Sequence, residues 1–237
     1  MVDGRLSPYD AVCRLKDEMP GRHIPCLSTW HGHINVGGVG VRHGETPHHP
    51  NRGRKGPKPH PAMTVPGRFT LDDRPAGATN RSRFGHCETD TVVSSTNGRG
   101  GPLVLMDCKS RRYVIELMER VTQEDAVKAP RRMVARRALG TALSVNTDNG
   151  RELLDPERTK AVVGCSVHCT CACASWEKGS VEDCNRFVRR WHPKGTDFSK
   201  CTGADMRRLE NVINSVHRRM FNGKTAHEYD TAHARTA

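Results

Sequence analysis

Apolar residues in this chain recur at two spacings, every second position in some stretches and every third or fourth in others. His86 to Ser95, with Val92 and Val93, predicts a strand that runs into a loop containing Asn97-Gly98, a pair that favours hairpins. Leu103 to Cys108 predicts the returning strand and Tyr113 to Met118 a third. Gln123 to Leu139 places Ala126, Met133, Val134 and Leu139 at helical spacing. Ala142 to Asn146 reads as a fourth strand, Pro156 to Val163 as a helix and Val167 to Cys171 as a fifth strand. Ser180 to Trp191 predicts a strong helix, with Val181, Cys184, Val188 and Trp191 on one stripe and Glu182, Asn185, Arg186 and Arg189 on the other. Three strands followed by alternating helices and strands predict an α/β fold, a mixed sheet with helices on both faces.

The front of the chain follows another pattern. Residues 1 to 36 predict a small helical unit: Ser7 can cap a helix that Pro8 begins, and Val12, Leu15 and Met19 then share a face. A second short helix is expected from Leu27 to Ile34, and the pair fits a partial helix-turn-helix or any small helical hairpin. Residues 37 to 71 are rich in Gly, Pro, Arg and Lys, a composition that buries no core and reads as a basic linker. Its Arg52, Arg54 and Lys55 are candidates for following a DNA backbone. Residues 72 to 230 are expected to form the main domain, and 231 to 237 a tail.

Charge narrows the class of partner. The 237 residues carry a formal net charge of +12 with a pI near 9.5. Nucleic acid is the expected partner, because Lys and Arg that neutralise phosphates supply most sequence-independent affinity. No apolar run approaches the roughly 18 residues of a spanning helix, so no membrane partner is expected. Met1 to Asp10 is polar, no signal peptide is expected, and the expected location is the cytoplasm. Cys165, Cys169, Cys171 and Cys173 stand close to His168, which raises a zinc site as an alternative. Paired C-x2-C spacing is missing, and reduced cysteines acting as small buried or surface residues are the preferred reading.

Three carboxylates carry the candidate chemistry. Asp90 lies in Gly85-His86-Cys87-Glu88-Thr89-Asp90-Thr91, Asp148 in Thr147-Asp148-Asn149-Gly150, and Glu182 in the first turn of the predicted last strong helix. Mg²⁺ or Mn²⁺ takes oxygen ligands, so a few convergent carboxylates can hold it. Two such ions about 4 Å apart can stabilise both the attacking and the leaving oxygen of a phosphodiester. Taken singly each residue has an ordinary explanation: Asp-Asn-Gly is a common turn, and an acid in a first helical turn is favoured by the dipole. Ser180 and Asp183 could form a capping box at the same place. Asn185, Arg186, Arg189, Lys178 and Lys194 lie on or beside that helix as candidate DNA contacts.

The stretch from about Asp72 to Tyr229 resembles the integrase-core transposases of the IS-thirty insertion-sequence family. The matching segments are Asp73-Arg74-Pro75, Arg81 to His86 with Glu88 and Asp90-Thr91, and Asp107 with Lys109-Ser110-Arg111. They continue with Thr147 to Gly150 and Glu152, Ser175 to Ser180 with Glu182 and Asn185, and Pro193 to Phe198. The 33 positions from 149 to 181 that separate Asp148 from Glu182 match the family's spacing. The resemblance implies a ribonuclease-H-like core with Asp90, Asp148 and Glu182 as a metal-binding triad of the DDE class. It also implies Mg²⁺ or Mn²⁺ as cofactor, cleavage and strand transfer at element ends, and DNA as partner, both terminal repeats and target. A homo-oligomer on DNA and a place at the bacterial nucleoid go with it. His86 and Glu88 match the motif and are read as positioning residues, with direct metal ligation the alternative. Cys87 stands where the family has Trp, Asp183 where it has Asn, and Cys173-Ala174 where it has Pro-Tyr. The alternative function is a truncated, inactive remnant that only binds DNA.

Overall fold

The computed structural model describes residues 6–41, 74–95, 98–136, 141–147, 156–169 and 179–234, with the side chains of 156, 169, 179–184 and 234 excepted. Contacts divide the chain into two units, residues 58–213 and residues 1–57 with 214–237.

The larger unit is built on five strands: β1 (His86–Thr91), β2 (Gly101–Asp107), β3 (Tyr113–Met118), β4 (Ser144–Thr147) and β5 (Ser166–Cys169). Their order is β3-β2-β1-β4-β5. β1 pairs antiparallel with β2, and β2 with β3, as a meander; β1 pairs parallel with β4, and β4 with β5. The helices are α3 (Ala76–Thr79), α4 (Gln123–Ala135), α5 (Pro156–Val163), α6 (Gly179–Trp191) and α7 (Gly203–Asn214). This is the mixed α/β sheet flanked by helices that the pattern predicts, and it is consistent with a ribonuclease-H-like fold.

Two apolar clusters lie on opposite faces of the sheet, because successive strand residues point to opposite sides. One joins Cys87, Leu103, Leu105, Val114, Met118 and Val145 to Ala126, Ala129 and Met133 of α4. The other joins Val92, Val104, Met106, Tyr113 and Ile115 to Val188 of α6, Phe198, and Met206, Leu209 and Ile213 of α7. The core stripe expected of the last strong helix is therefore present where side chains are described: Val188 is fully buried and Trp191 packs at the cluster margin.

Several boundaries shift from the sequence expectation for visible reasons. The helix expected to reach Leu139 ends at Ala135, with Arg136 as its cap. Arg136 instead reaches the outer edge of β3: its Nη2 donates to Ile115 O at 3.0 Å and to Glu210 Oε2 at 2.8 Å. Glu210 Oε2 in turn accepts from Ile115 N at 2.8 Å, and Arg132 Nη2 donates to Leu117 O at 2.7 Å. β3 is an edge strand, and these side chains satisfy backbone groups that would otherwise invite another strand. β1 ends at Thr91 although the pattern predicts a strand to Ser95. Beyond it Ser94 and Ser95 leave the sheet: Ser95 N donates to Thr196 O at 3.1 Å, and Ser94 Oγ accepts from Phe198 N at 3.0 Å.

The smaller unit contains α1 (Pro8–Glu18), α2 (Leu27–Asn35) and α8 (Ala226–Ala234). Ser7 Oγ accepts from Asp10 N at 3.2 Å, as the expected cap. Asp10 is completely buried and forms the hub of the unit. It accepts from Arg14 Nε at 3.1 Å and from His217 N at 2.8 Å, with His217 Nδ1 also at 2.8 Å. The other ring nitrogen of His217 meets Asp17 Oδ2 at 3.0 Å. Residues 214–234 thus group with the N-terminal helices. The linker candidates Arg52, Arg54 and Lys55 lie outside the described residues.

Candidate active site

β1 is the central strand, and its two faces differ sharply. Cys87 and Thr89 point toward the α4 cluster, while His86, Glu88 and Asp90 share the opposite face. His86 and Glu88 are each 4% exposed. A buried row of ionisable residues on a central strand is costly unless each is paired or used. The parallel register extends the row sideways: Glu88 lies beside Asn146 of β4, and Asn146 beside His168 of β5, all three buried.

Asp90 is held from two sides. Its Oδ1 accepts from Thr91 N at 2.8 Å, and its Oδ2 accepts from the Asn185 amide of α6 at 2.5 Å. α6 reaches this place because Val188, one turn after Asn185, anchors in the core beneath it. The structure thus joins the candidate strand carboxylate Asp90 to Asn185 of the polar stripe on the last strong helix. Asn185 Oδ1 is buried and, among the described residues, without a hydrogen-bond partner. A carboxylate and a free amide oxygen are hard donors, which suit Mg²⁺ or Mn²⁺ and not a thiophilic ion.

The other two triad positions are fixed here only through the chain. Asp148 lies outside the described residues; it follows Thr147, the last residue of β4. The β1–β4 register pairs Glu88 with Asn146, and Asp90 and Asp148 each stand two residues further along. Glu182 belongs to α6, three residues before Asn185, but its side chain is not described, and neither is the Ser180–Asp183 capping box. Among the described residues no three His, Cys, Asp or Glu side chains are gathered to hold a metal ion. Of the proposed zinc cluster, Cys165 is half-buried with its thiol pushed up by burial, His168 is buried, and Cys171 and Cys173 lie outside the described residues.

The remaining motif residues are largely structural. Glu88 Oε1 accepts from Arg74 Nη2 at 3.4 Å and from the Cys108 thiol at 3.6 Å. The Cys108 thiol is pushed up to about 12, by burial first and the Glu88 carboxylate second. His86 Nδ1 contacts Ser144 Oγ at 2.8 Å, and burial together with the Arg74 and Arg83 guanidinium groups lowers its pKa. Asp107 closes the β2–β3 turn, accepting from Lys109 N, Ser110 N and Ser110 Oγ on one oxygen and from Gly85 N on the other. Gly85 is required there: its φ is +87°, and a Cβ would lie 2.8 Å from Thr141 O.

The candidate DNA contacts differ in their surroundings. Arg189 is engaged, its Nη2 donating to Val93 O at 2.7 Å and its Nη1 to Pro193 O at 3.3 Å, so it braces the end of β1. Asp197 helps from the same loop, its Oδ1 accepting from Arg99 N at 3.3 Å. Arg186 and Lys194 are exposed, and Lys178 lies outside the described residues. The Asp10–His217 hub and the Arg136–Glu210 cover on β3 leave no local signal in the chain, since their partners are separated by 207 and 74 residues.

Comparison with known proteins bears on this geometry. No family model matches the chain. It is 28% identical over 166 residues to the transposase for insertion sequence element IS4351 of Bacteroides fragilis, covering 69% of this chain and 50% of that protein. It is 25% identical over 191 residues to transposase InsI for insertion sequence element IS30A of Escherichia coli K12, covering 79% and 47%. The transposase for insertion sequence element IS1086 of Cupriavidus metallidurans is 23% identical over 158 residues, covering 67% and 46%. This chain is a homologue of insertion-sequence transposases. The relationship to the IS-thirty family expected from the motifs is met by its IS30A, IS30C and IS30D homologues. The chain spans about half the length of the curated relatives it matches. Among the described residues no helix is long and apolar enough to cross a membrane.

Proposed function

We propose that this chain is the catalytic part of a DDE-type insertion-sequence transposase, which cleaves DNA at element ends and transfers the freed strand to target DNA. The observation that carries the reading is the hydrogen bond from Asn185 of α6 to Asp90 on central strand β1. It brings the helix that contains Glu182 to the first carboxylate, while β4, next to β1 and parallel to it, leads in sequence into Asp148. Homology to insertion-sequence transposases supports the same reading.

Asp90, Asp148 and Glu182 are the proposed holders of Mg²⁺ or Mn²⁺, with Asn185 Oδ1 as a further oxygen. When bound, the ion polarises the phosphodiester and lowers the pKa of an attacking water. Asn185 fixes the Asp90 carboxylate by donating to one of its oxygens, and Thr91 N fixes the other. Preorganisation of this kind leaves little rearrangement to be made during reaction. Arg189 of α6 holds the chain that leaves β1 through Val93 O, and Asp197 of the following loop holds Arg99 N just before β2. Arg186 and Lys194 are exposed and are the proposed phosphate contacts beside it. DNA as partner, a homo-oligomer on that DNA and a nucleoid location belong to the same proposal.

The decisive experiment is Mg²⁺-dependent strand transfer of an oligonucleotide carrying the element's end, with wild type, Asp90→Asn and Asp148→Asn compared. Transfer by wild type and its loss in both variants, with DNA binding retained, is expected. Transfer that survives either substitution, or that is absent from wild type, overturns the assignment.

A further inference from the structure

The β1–β2 connection and the β3–α4 turn flank an open concavity of about 520 Å³ that the triad does not use. It is lined by Val93 to Ser95 and Gly98 to Gly100 on one side and by Arg120, Val121 and Thr122 on the other. Its two charged side chains are Arg99 and Arg120, both exposed. Among the described residues neither guanidinium has a hydrogen-bond or ion-pair partner; only their backbone N–H groups are engaged, with Asp197 and Asp125.

The acids nearest in α4 are already occupied. Lys128 lies 2.7 Å from Glu124 and 3.7 Å from Asp125, and Asp125 also accepts the Arg120 N–H. Glu119 does not line the cavity. Neither guanidinium is ion-paired among the described residues, although the Asp197 and Asp125 carboxylates lie at their backbone N–H groups, and the remaining polar walls of the concavity are hydroxyls and backbone.

The hairpin fixes one of them in place. Gly100 has φ +73°, and a Cβ there would sit 2.5 Å from Met118 O; a Cβ at Gly101 would sit 2.4 Å from Val92 O. Only glycine permits so close an approach of the turn to its neighbours. Arg99 is the one long side chain in the run Gly98-Arg99-Gly100-Gly101, and its N–H is tied to Asp197.

We infer that this cavity is a backbone subsite for DNA, in which Arg99 and Arg120 take phosphodiester oxygens. The inference rests on the transposase reading above. Guanidinium groups suit this ligand because their fork matches two phosphate oxygens. The placement also suits it: Val93 is three residues beyond Asp90, about 10 Å along an extended chain. That is roughly three nucleotides of rise at about 3.4 Å each, so one strand would present one phosphate at Asp90 and another at the cavity. The contact carries no sequence information; it fixes register on the strand.

The test is binding of a fluorescently labelled DNA duplex of arbitrary sequence to the full chain, measured at several salt concentrations. Arg99→Ala and Arg120→Ala are each expected to reduce the slope of log K against log salt by about 0.9, and the double variant by about 1.8. Arg99→Lys and Arg120→Lys are expected to keep most of the slope, because the charge remains. Arg207→Ala, at an exposed position of α7 that does not line the cavity, removes the same charge and is expected to leave the slope unchanged. Unchanged slopes in the cavity variants overturn the subsite. An equal fall in Arg207→Ala also overturns it, since diffuse surface charge would then account for the effect. The catalytic reading is tested separately, by strand transfer in Asp90→Asn and Asp148→Asn, and not by this slope. Failure of the subsite and failure of the catalytic reading therefore show in different measurements.

Discussion

The two faces of β1 obey different rules. Toward α4, Cys87 and Thr89 join an apolar cluster, and Leu103 and Leu105 of β2 stand opposite Thr91 and Thr89. Toward α6, the same six-residue strand presents His86, Glu88 and Asp90, and buried polar atoms on this side, Glu88 Oε2, Arg74 Nε, Asn146 Oδ1 and Asn185 Oδ1, have no hydrogen-bond partner among the described residues. Stability alone would fill both faces with apolar side chains, since an unsatisfied buried polar atom costs about 1–3 kcal/mol. One face of the strand therefore serves the fold, and the other bears a cost that points to a site. The contrast is testable, because substitutions on the two faces should fail in different ways.

The largest effect is expected on the polar face. Asp90→Asn should lower strand transfer by roughly 10³-fold, comparable to losing a preorganised electrostatic group, while the melting temperature holds or rises. Loss of folding with loss of activity would erase the contrast. On the other face Leu103→Ala should cost about 3 kcal/mol of stability, the usual range for a fully buried leucine. Denaturant unfolding measures this, and the salt slope of DNA binding at temperatures below the transition should not change. Between the two lies Glu88→Gln, which leaves Arg74 without its ion-pair partner. It should cost about 1–3 kcal/mol by the same unfolding assay. Mg²⁺ affinity that is unaltered in this variant supports Glu88 as a positioning residue; a tenfold loss would make it a ligand instead.

The apolar face was the easier one to read from sequence. The strand Tyr113–Met118 and the helix Pro156–Val163 fall where periodicity put them, because burial on a defined face leaves its period in the chain. Asp90 and Asn185 were legible as residues through motif and helical stripe, and their pairing across 95 positions came from the structure. The end of α4 at Ala135 was not legible: Arg136 is a good helix former, and its recruitment by Glu210 and Ile115 is a tertiary contact without local signal. Arg189 was read as a DNA contact from its place on the polar stripe, and its bonds to Val93 and Pro193 carbonyls depend on a loop whose path no spacing reveals. Arg99 is not legible as a contact, because a single arginine between glycines resembles any turn.

The smallest effect concerns protons on the polar face. His86 is buried beside Arg74 and Arg83, and burial first, then these charges, hold its folded pKa below the ordinary 6.5. The neutral ring is thus the form that folding favours, and the stability it allows is fully present above about pH 6.5. As pH falls below that value the unfolded chain gains a proton that the folded chain resists, so stability declines until the pH passes the lowered folded pKa. One such proton gives at most about 1.4 kcal/mol per pH unit. Unfolding free energies measured from pH 7.5 to 5 should show this decline in wild type and a flatter profile in His86→Asn, which keeps a side-chain amide near Ser144 Oγ. Cys87, on the apolar face of the same strand, has its thiol pushed well above the ordinary 9.0 by burial and contributes no slope in this window. A slope that survives His86→Asn unchanged would move the acid sensitivity off β1, leaving only Asp90 and Glu88 to distinguish its polar face.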